Sequence, residues 1–272
     1  MEKRNLQGKF GPTSLNESGD YGTITSHGPF VASADFTVEV IKVNGPGKLG
    51  GSVKILESGK FNGPLVVDGD FTGNFVKVNG PMKIGGIIAI EEQLKVNGPS
   101  SGEVLTGESN AEATFNGPVV FGAISSISKI IVHGPIQAKK ISDVSTARLE
   151  GRVEVEAIED VDSLKISLTD DKSGITRIGT ISAGEIEIGR DLDDPDFHGI
   201  HGFEFRLFKG AFKKRITRDE GYAEIAEIRA KGKVELDHVK VDRVFAKELF
   251  VGEETEVGEF IEVKDELSAS SA

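Results

Sequence analysis

The sequence predicts an all-β protein: a parallel β-helix, or β-solenoid, of about 17–18 residues per triangular coil, interrupted by one inserted hairpin. Three observations carry this. The tripeptide Asn-Gly-Pro keeps returning, at Asn44-Gly45-Pro46, Asn62-Gly63-Pro64, Asn79-Gly80-Pro81, Asn97-Gly98-Pro99 and Asn116-Gly117-Pro118. His27-Gly28-Pro29 and His133-Gly134-Pro135 put His in the Asn slot, and Phe10-Gly11-Pro12 is a weaker first member. The glycines of this series lie 17, 17, 18, 17, 18, 19 and 17 residues apart, a period that marks stacked structural repeats. Ahead of the Asn, apolar residues alternate with Lys, as in Ile41-Lys42-Val43, Val76-Lys77-Val78 and Leu94-Lys95-Val96. That alternation is the mark of a half-buried strand.

A unit this short excludes helical repeats, which need about 33–47 residues, and leucine-rich repeats at about 20–29. Gly and Pro at each join also oppose helices. One repeat therefore makes one coil of about three short strands, and coils stack as parallel sheets about 4.8 Å apart. The corner residues suit the task. Gly takes backbone angles that other residues resist. Pro fixes its own φ, lacks an N–H, and so belongs at the start of a strand. Asn tolerates a tight turn. Stacked once per coil, the Asn amides either form a ladder or serve only their own corners, and the sequence leaves both open.

In chain order, residues 1–10 read as a polar tail. The solenoid spans 11–189. Its first coil is poor in apolar residues, with Tyr21 and Ile24 as the packing candidates. Residues 28–62 resemble 63–97, so a two-coil unit of 35 residues is duplicated. At Gly151 the Pro is lost, yet alternation persists through Val153-Glu154-Val155 and Ile186-Glu187-Ile188. Residues 190–225 break the pattern with an acidic turn and then a Phe-rich basic stretch, read as an inserted β-hairpin. Terminal coils occupy 226–264, and 265–272 form a second polar tail. The count comes to about 12 coils and a rod of about 55–60 Å.

Composition narrows function. The chain has 272 residues and no Cys, which excludes disulfides, thiol nucleophiles and thiolate metal sites. No apolar run follows Met1, so no secretory signal is expected, and no stretch is long enough for a membrane-spanning helix. The expected location is the cytoplasm, with membrane association through the insert as the variant. Net charge is −12 and unevenly placed. Residues 1–150 hold 14 Lys and Arg against 15 Asp and Glu, while residues 151–272 hold 18 against 29. An acidic chain without a basic face is a poor partner for nucleic acid.

Candidate chemistry is sparse. His198 and His201 lie near Asp193, Asp194 and Asp196, types that ligate metals, but a turn accounts for them. His27 and His133 fill corners. Asp68-Gly69-Asp70 reads as a turn before it reads as a calcium loop. The Lys column of Lys42, Lys60, Lys77 and Lys95 stacks on one outer face, where like charges repel; Glu39, Glu57 and Glu92 are its expected counter-charges. No catalytic, cofactor or metal site is assigned. Phe203, Phe205, Phe208 and Phe212, with Lys213 and Lys214, could dock on a membrane surface or a cytoplasmic protein.

Taken together, the Asn-Gly-Pro series over residues 26–135 and the interrupted C-terminal part, with Val241-Asp242-Arg243-Val244 and Phe250-Val251-Gly252, resemble the bactofilin family of polymer-forming cytoskeletal proteins. The resemblance implies a right-handed β-helix that polymerises end to end without nucleotide and scaffolds other cytoplasmic machinery. This chain is about twice as long as the short members and carries the insertion, so capping a polymer stands beside forming one. A monomeric scaffold that binds through the insert, and a β-helix enzyme of acyltransferase type, are the other classes. Physics adds its own argument: the last coil of a solenoid leaves backbone groups unpaired, which invites another chain. Tyr21 and Ile24 at one end, and Phe250, Val257, Phe260 and Ile261 at the other, are the candidate contacts for self-association, as homodimer or homopolymer.

Overall fold

The computed structural model describes residues 3–8, 11–169, 174–190, 192, 206–207 (backbone only), 221–252 and 254–263. The chain divides into two compact units, Met1–Glu150 and Gly151–Ala272. Each is a stack of parallel strands, and no helix occurs among the described residues. Counted over both, the strands make about 13 turns of a β-solenoid.

Residues 28–44 show how a coil of the first unit is built. Phe30–Ala32 forms one face, and Phe36–Val43 supplies the other two. Phe30, Ala32, Phe36, Val38, Ile41 and Val43 are buried, two per face. Glu39-Val40 breaks the alternation and marks the corner between the second and third faces. The register repeats from coil to coil: Phe36 pairs with Val53, Val53 with Phe71, and Phe71 with Ile88. Each inward column is thus a continuous apolar file, and burying such files drives the winding.

Volume is balanced within each layer. The coil of residues 45–62 places Gly47 and Gly59 inward and carries the fully buried Phe61. A Cβ on Gly59 would lie 2.7 Å from Ile55 Cδ1 and 3.4 Å from Phe61 Cε2. The ring fills space that the glycines vacate, as a close-packed interior requires. Toward the first coil, Phe36 meets Tyr21 and Phe30 edge to face, with centroids 6.3 and 6.2 Å apart.

The corner residues line up. A Cβ on Gly45 would lie 2.7 Å from the carbonyl carbon of Gly28, one on Gly63 2.6 Å from Gly45 O, and one on Gly80 2.7 Å from the carbonyl carbon of Gly63. These glycines therefore stand in single file at backbone contact. The prolines do not break the ladder. Their carbonyls accept from the preceding coil, as in Phe30 N to Pro46 O and Leu65 N to Pro81 O, both 2.8 Å.

Later coils turn the corner between the second and third faces differently. Val119–His133 and Ile136–Glu150 are strands of 15 residues each. A single left-handed residue bends each one, Ser126 at φ 54° and Asp143 at φ 55°. Ser126 Oγ donates to Asp143 Oδ2 over 2.9 Å, tying the two bends together.

The amino-terminal residues depart from the expected tail. Arg4–Gly8 is a strand that pairs Leu6 with Ile24 and Gln7 with Thr25. One apolar residue gives no readable period. The strand is fixed instead by Asn5 Oδ1, which accepts from Thr23 N at 2.8 Å, and by ion pairs of Lys3 with Glu39 and Arg4 with Glu17.

In the second unit, Val153–Leu168 pairs with Thr176–Arg190, setting Val155 on Ile178 and Ile166 on Ile188. The far edge of Thr176–Arg190 pairs with Ala223–Ala230 and Lys233–Leu236. The coils that precede and follow residues 191–221 are therefore successive in the stack. The solenoid resumes at Ala223, ahead of the expected residue 226, because Ala223 stacks on Thr176 in a small pair that carries no apolar signal.

Candidate functional site

The ends of the stacks differ in chemistry. In the first coil, Ser26 takes the register position of Val43, and Thr13 that of Phe30. Both are buried, and Ser26 Oγ donates to Thr13 Oγ1 over 3.0 Å. Hydroxyls replace core hydrocarbon there, and the polar strand Arg4–Gly8 lies over the third face. Tyr21 and Ile24 are 5% and 0% exposed, so they are interior residues of this coil and not a contact surface.

At the C-terminal end of the second unit, Glu256–Glu262 pairs with Val239–Ala246, setting Val257 on Val241, Phe260 on Val244 and Ile261 on Phe245. Among the described residues no strand pairs with its other edge. Val257 is buried and also belongs to the core. Phe260 is half-buried, whereas Ile261 and Val263 are 37% and 41% exposed. An unpaired edge carrying exposed apolar side chains is a template for strand addition.

The insert touches this end. Arg206–Leu207 pairs antiparallel with Glu248–Val251, Leu207 lying opposite Phe250. Glu248–Val251 pairs in parallel with Lys233–Leu236 through its other edge. Both its edges are thus occupied, so Phe250 sits on the flank of the stack, with Lys233 Nζ 5.2 Å from its ring centroid. Phe203, Phe205, Phe208, Phe212, Lys213 and Lys214 lie outside the described residues, as do His198, His201 and most of the expected hairpin. The sequence carried no signal for the antiparallel pairing, since two residues have no period.

Two outer ladders run along the first unit. The Asn amides form a chain: Asn62 donates to Asn44 at 2.7 Å, Asn79 to Asn62 at 2.8 Å, Asn97 to Asn79 at 2.7 Å and Asn116 to Asn97 at 2.6 Å. His27 Nδ1 meets Asn44 Nδ2 at 3.3 Å, and His133 Nδ1 pairs with Glu150. Both histidines therefore act as corner residues. The second ladder is the Lys column, in which Lys42, Lys60, Lys77 and Lys95 are directly paired in register.

A groove of about 370 Å³ is lined by Asp20, Asp35, Ser52, Lys54 and Asp70 among others. Three of its polar groups serve corner turns. Asp35 Oδ1 accepts from Ser52 N at 2.7 Å, Ser52 Oγ from Asp70 N at 3.1 Å, and Asp70 Oδ1 from Ile87 N at 2.8 Å. Asp70 thus serves the turn. In the second unit the buried Asp237 pairs with His238 Nδ1 at 2.6 Å, and Glu254 lies 3.6 Å from the other ring nitrogen. Among the described residues no group of three or more His, Asp or Glu is placed to hold a metal, and no helix is long and apolar enough to cross a membrane. No protein-family model, curated protein or solved structure matches the chain.

Proposed function

We propose that this chain is a structural β-solenoid that self-associates end to end, without nucleotide, into filaments that scaffold other cytoplasmic components. This is the role implied by its resemblance to the bactofilin family. The observation that carries the reading is the strand Glu256–Glu262, paired through one edge among the described residues, with the exposed Ile261 on it and the exposed Val263 just past its end. A second copy would satisfy that edge by continuing the parallel or antiparallel ladder, and would bury both apolar side chains. The hydroxyl-bearing first coil offers hydrocarbon less freely. The reading therefore places the primary contact at the C-terminal end, with Phe260 beside it. The role calls for no catalysis.

Electron microscopy and pelleting of the full chain without nucleotide test this directly. Filaments or discrete tail-to-tail dimers are expected. Ile261→Lys with Val263→Lys should hold the chain as monomers at concentrations where the unaltered protein associates. Monomers of the unaltered chain at high concentration, or association that ignores both substitutions, would overturn the reading.

A further inference from the structure

We propose that the third face of the first unit is a docking surface for a linear acidic polysaccharide laid along the solenoid axis. The face is organised around the Lys column. Lys42 pairs in register with Lys60, Lys60 with Lys77, and Lys77 with Lys95, so four ammonium groups recur at about the coil spacing of 4.8 Å. All four side chains are exposed, and none makes an ion pair among the described residues. Like charges opposite one another in a sheet destabilise it.

Two of the three expected counter-charges are occupied elsewhere: Glu39 binds Lys3 and Glu92 accepts from Asn110, while Glu57 forms no ion pair among the described residues. The neighbouring outward column on the same face reads Val40, Ser58, Phe75 and Gln93, with no carboxylate. The row therefore presents four ammonium groups without an ion-pair partner among the described residues, on a unit whose overall balance is near neutral.

The arrangement selects among anions. Charges in one straight file at one spacing match a linear polymer with regularly repeated charge, and exceed what a single small anion can use. Phe75 adds a second requirement. Its ring is 52% exposed on a β-strand, two residues from Lys77, and is flanked in register by Ser58 and Gln93. An exposed ring between a hydroxyl and an amide suits the apolar face and the hydroxyls of a pyranose. The chain as a whole carries −12, which disfavours a broad anionic surface such as a bilayer. A single polyuronate strand touches the Lys row and the aromatic beside it, and little else.

The test uses the full chain and four probes: oligogalacturonate, neutral dextran of equal length, long-chain inorganic polyphosphate, and phosphatidylglycerol vesicles. Oligogalacturonate should bind, with affinity that falls as salt rises, since exposed ion pairs are screened. That readout needs no variant. Lys60→Gln with Lys77→Gln should weaken it about fivefold, as expected for two exposed ion pairs. Phe75→Ser should also weaken it, while Lys48→Gln with Lys83→Gln on another face should leave it unchanged. The proposal fails if oligogalacturonate does not bind, if dextran binds equally well, or if polyphosphate or vesicles bind more tightly. It fails too if either the Lys60/Lys77 or the Phe75 variant binds as the unaltered chain does. It is independent of self-association, which these substitutions do not touch.

Discussion

Asn79 donates its side-chain amide to Asn62 over 2.8 Å, across two coils that are 17 residues apart in sequence. Asn62 passes the same bond on to Asn44. Each interior member is therefore donor and acceptor at once, and the corner is held by a chain of amides rather than by separate turns.

Asn62→Ala removes one donated and one accepted bond. A net hydrogen bond contributes about 0.5–1.5 kcal/mol, so the loss should be about 1–2 kcal/mol at this partly solvated corner. Asn116→Ala removes one such bond to Asn97 and should cost about half as much. Urea melts of the two variants check this. Equal, negligible losses would reduce the ladder to a geometric coincidence.

Gly63→Ala and Gly50→Ala should separate sharply. A Cβ on Gly63 would lie 2.6 Å from Gly45 O, a backbone atom that can move only with its coil. The nearest atom to a Cβ on Gly50 is Ala32 O at 3.5 Å, ordinary contact. The first substitution should destabilise by about 3 kcal/mol or more. The second should be neutral or slightly stabilising, because it restricts the unfolded chain. Thermal melts with similar midpoints would contradict the single file of corner glycines.

Lys3 should titrate above the ordinary lysine value. Its hydrogen bond to Glu39 holds the ammonium above the ordinary 10.5, assisted by the charges of Glu39, Asp20 and Glu57. Because the folded value is raised, the contribution is fully present below the unfolded value and disappears as pH climbs through the folded one. The Lys3 Cε chemical shift should show this displaced midpoint, and Glu39→Gln should return it toward normal. An unchanged midpoint in that variant would detach Lys3 from Glu39.

The insert should restrain association. Arg190 donates to Gly221 O at 3.0 Å, so the two ends of the excursion are close and a short Gly-Ser linker can replace residues 193–220. The edge of Glu248–Val251 that Arg206–Leu207 occupies would then be free. Sedimentation should show stronger association than in the full chain. Weaker or unchanged association would mean that this edge has no share in assembly.

The coils were legible because their signal is repeated: inward positions recur at the same phase, and Gly-Pro punctuates each turn as far as residue 135. Singular features were not. Arg4–Gly8 has one apolar residue, and Arg206–Leu207 has only two residues in its ladder, so neither shows a period. The pattern placed Tyr21, Ile24 and Val257 in the terminal coils. It could not show that the terminal coils enclose those side chains instead of presenting them. The Lys column was readable as a column, but its partners were not. Glu39 and Glu92 are close to it in sequence, yet Lys3 and Asn110 reach them first through neighbouring coils.

The corner glycines of the first unit leave no compressible material along one edge of the stack, since each approaches a carbonyl of the coil before it. At the corner between the first and second faces, the Asp35, Ser52 and Asp70 side chains carry part of the link between coils instead. That edge therefore behaves as an incompressible spine, and thermal flexing of the unit is anisotropic: easy about the glycine line, stiff against shortening it.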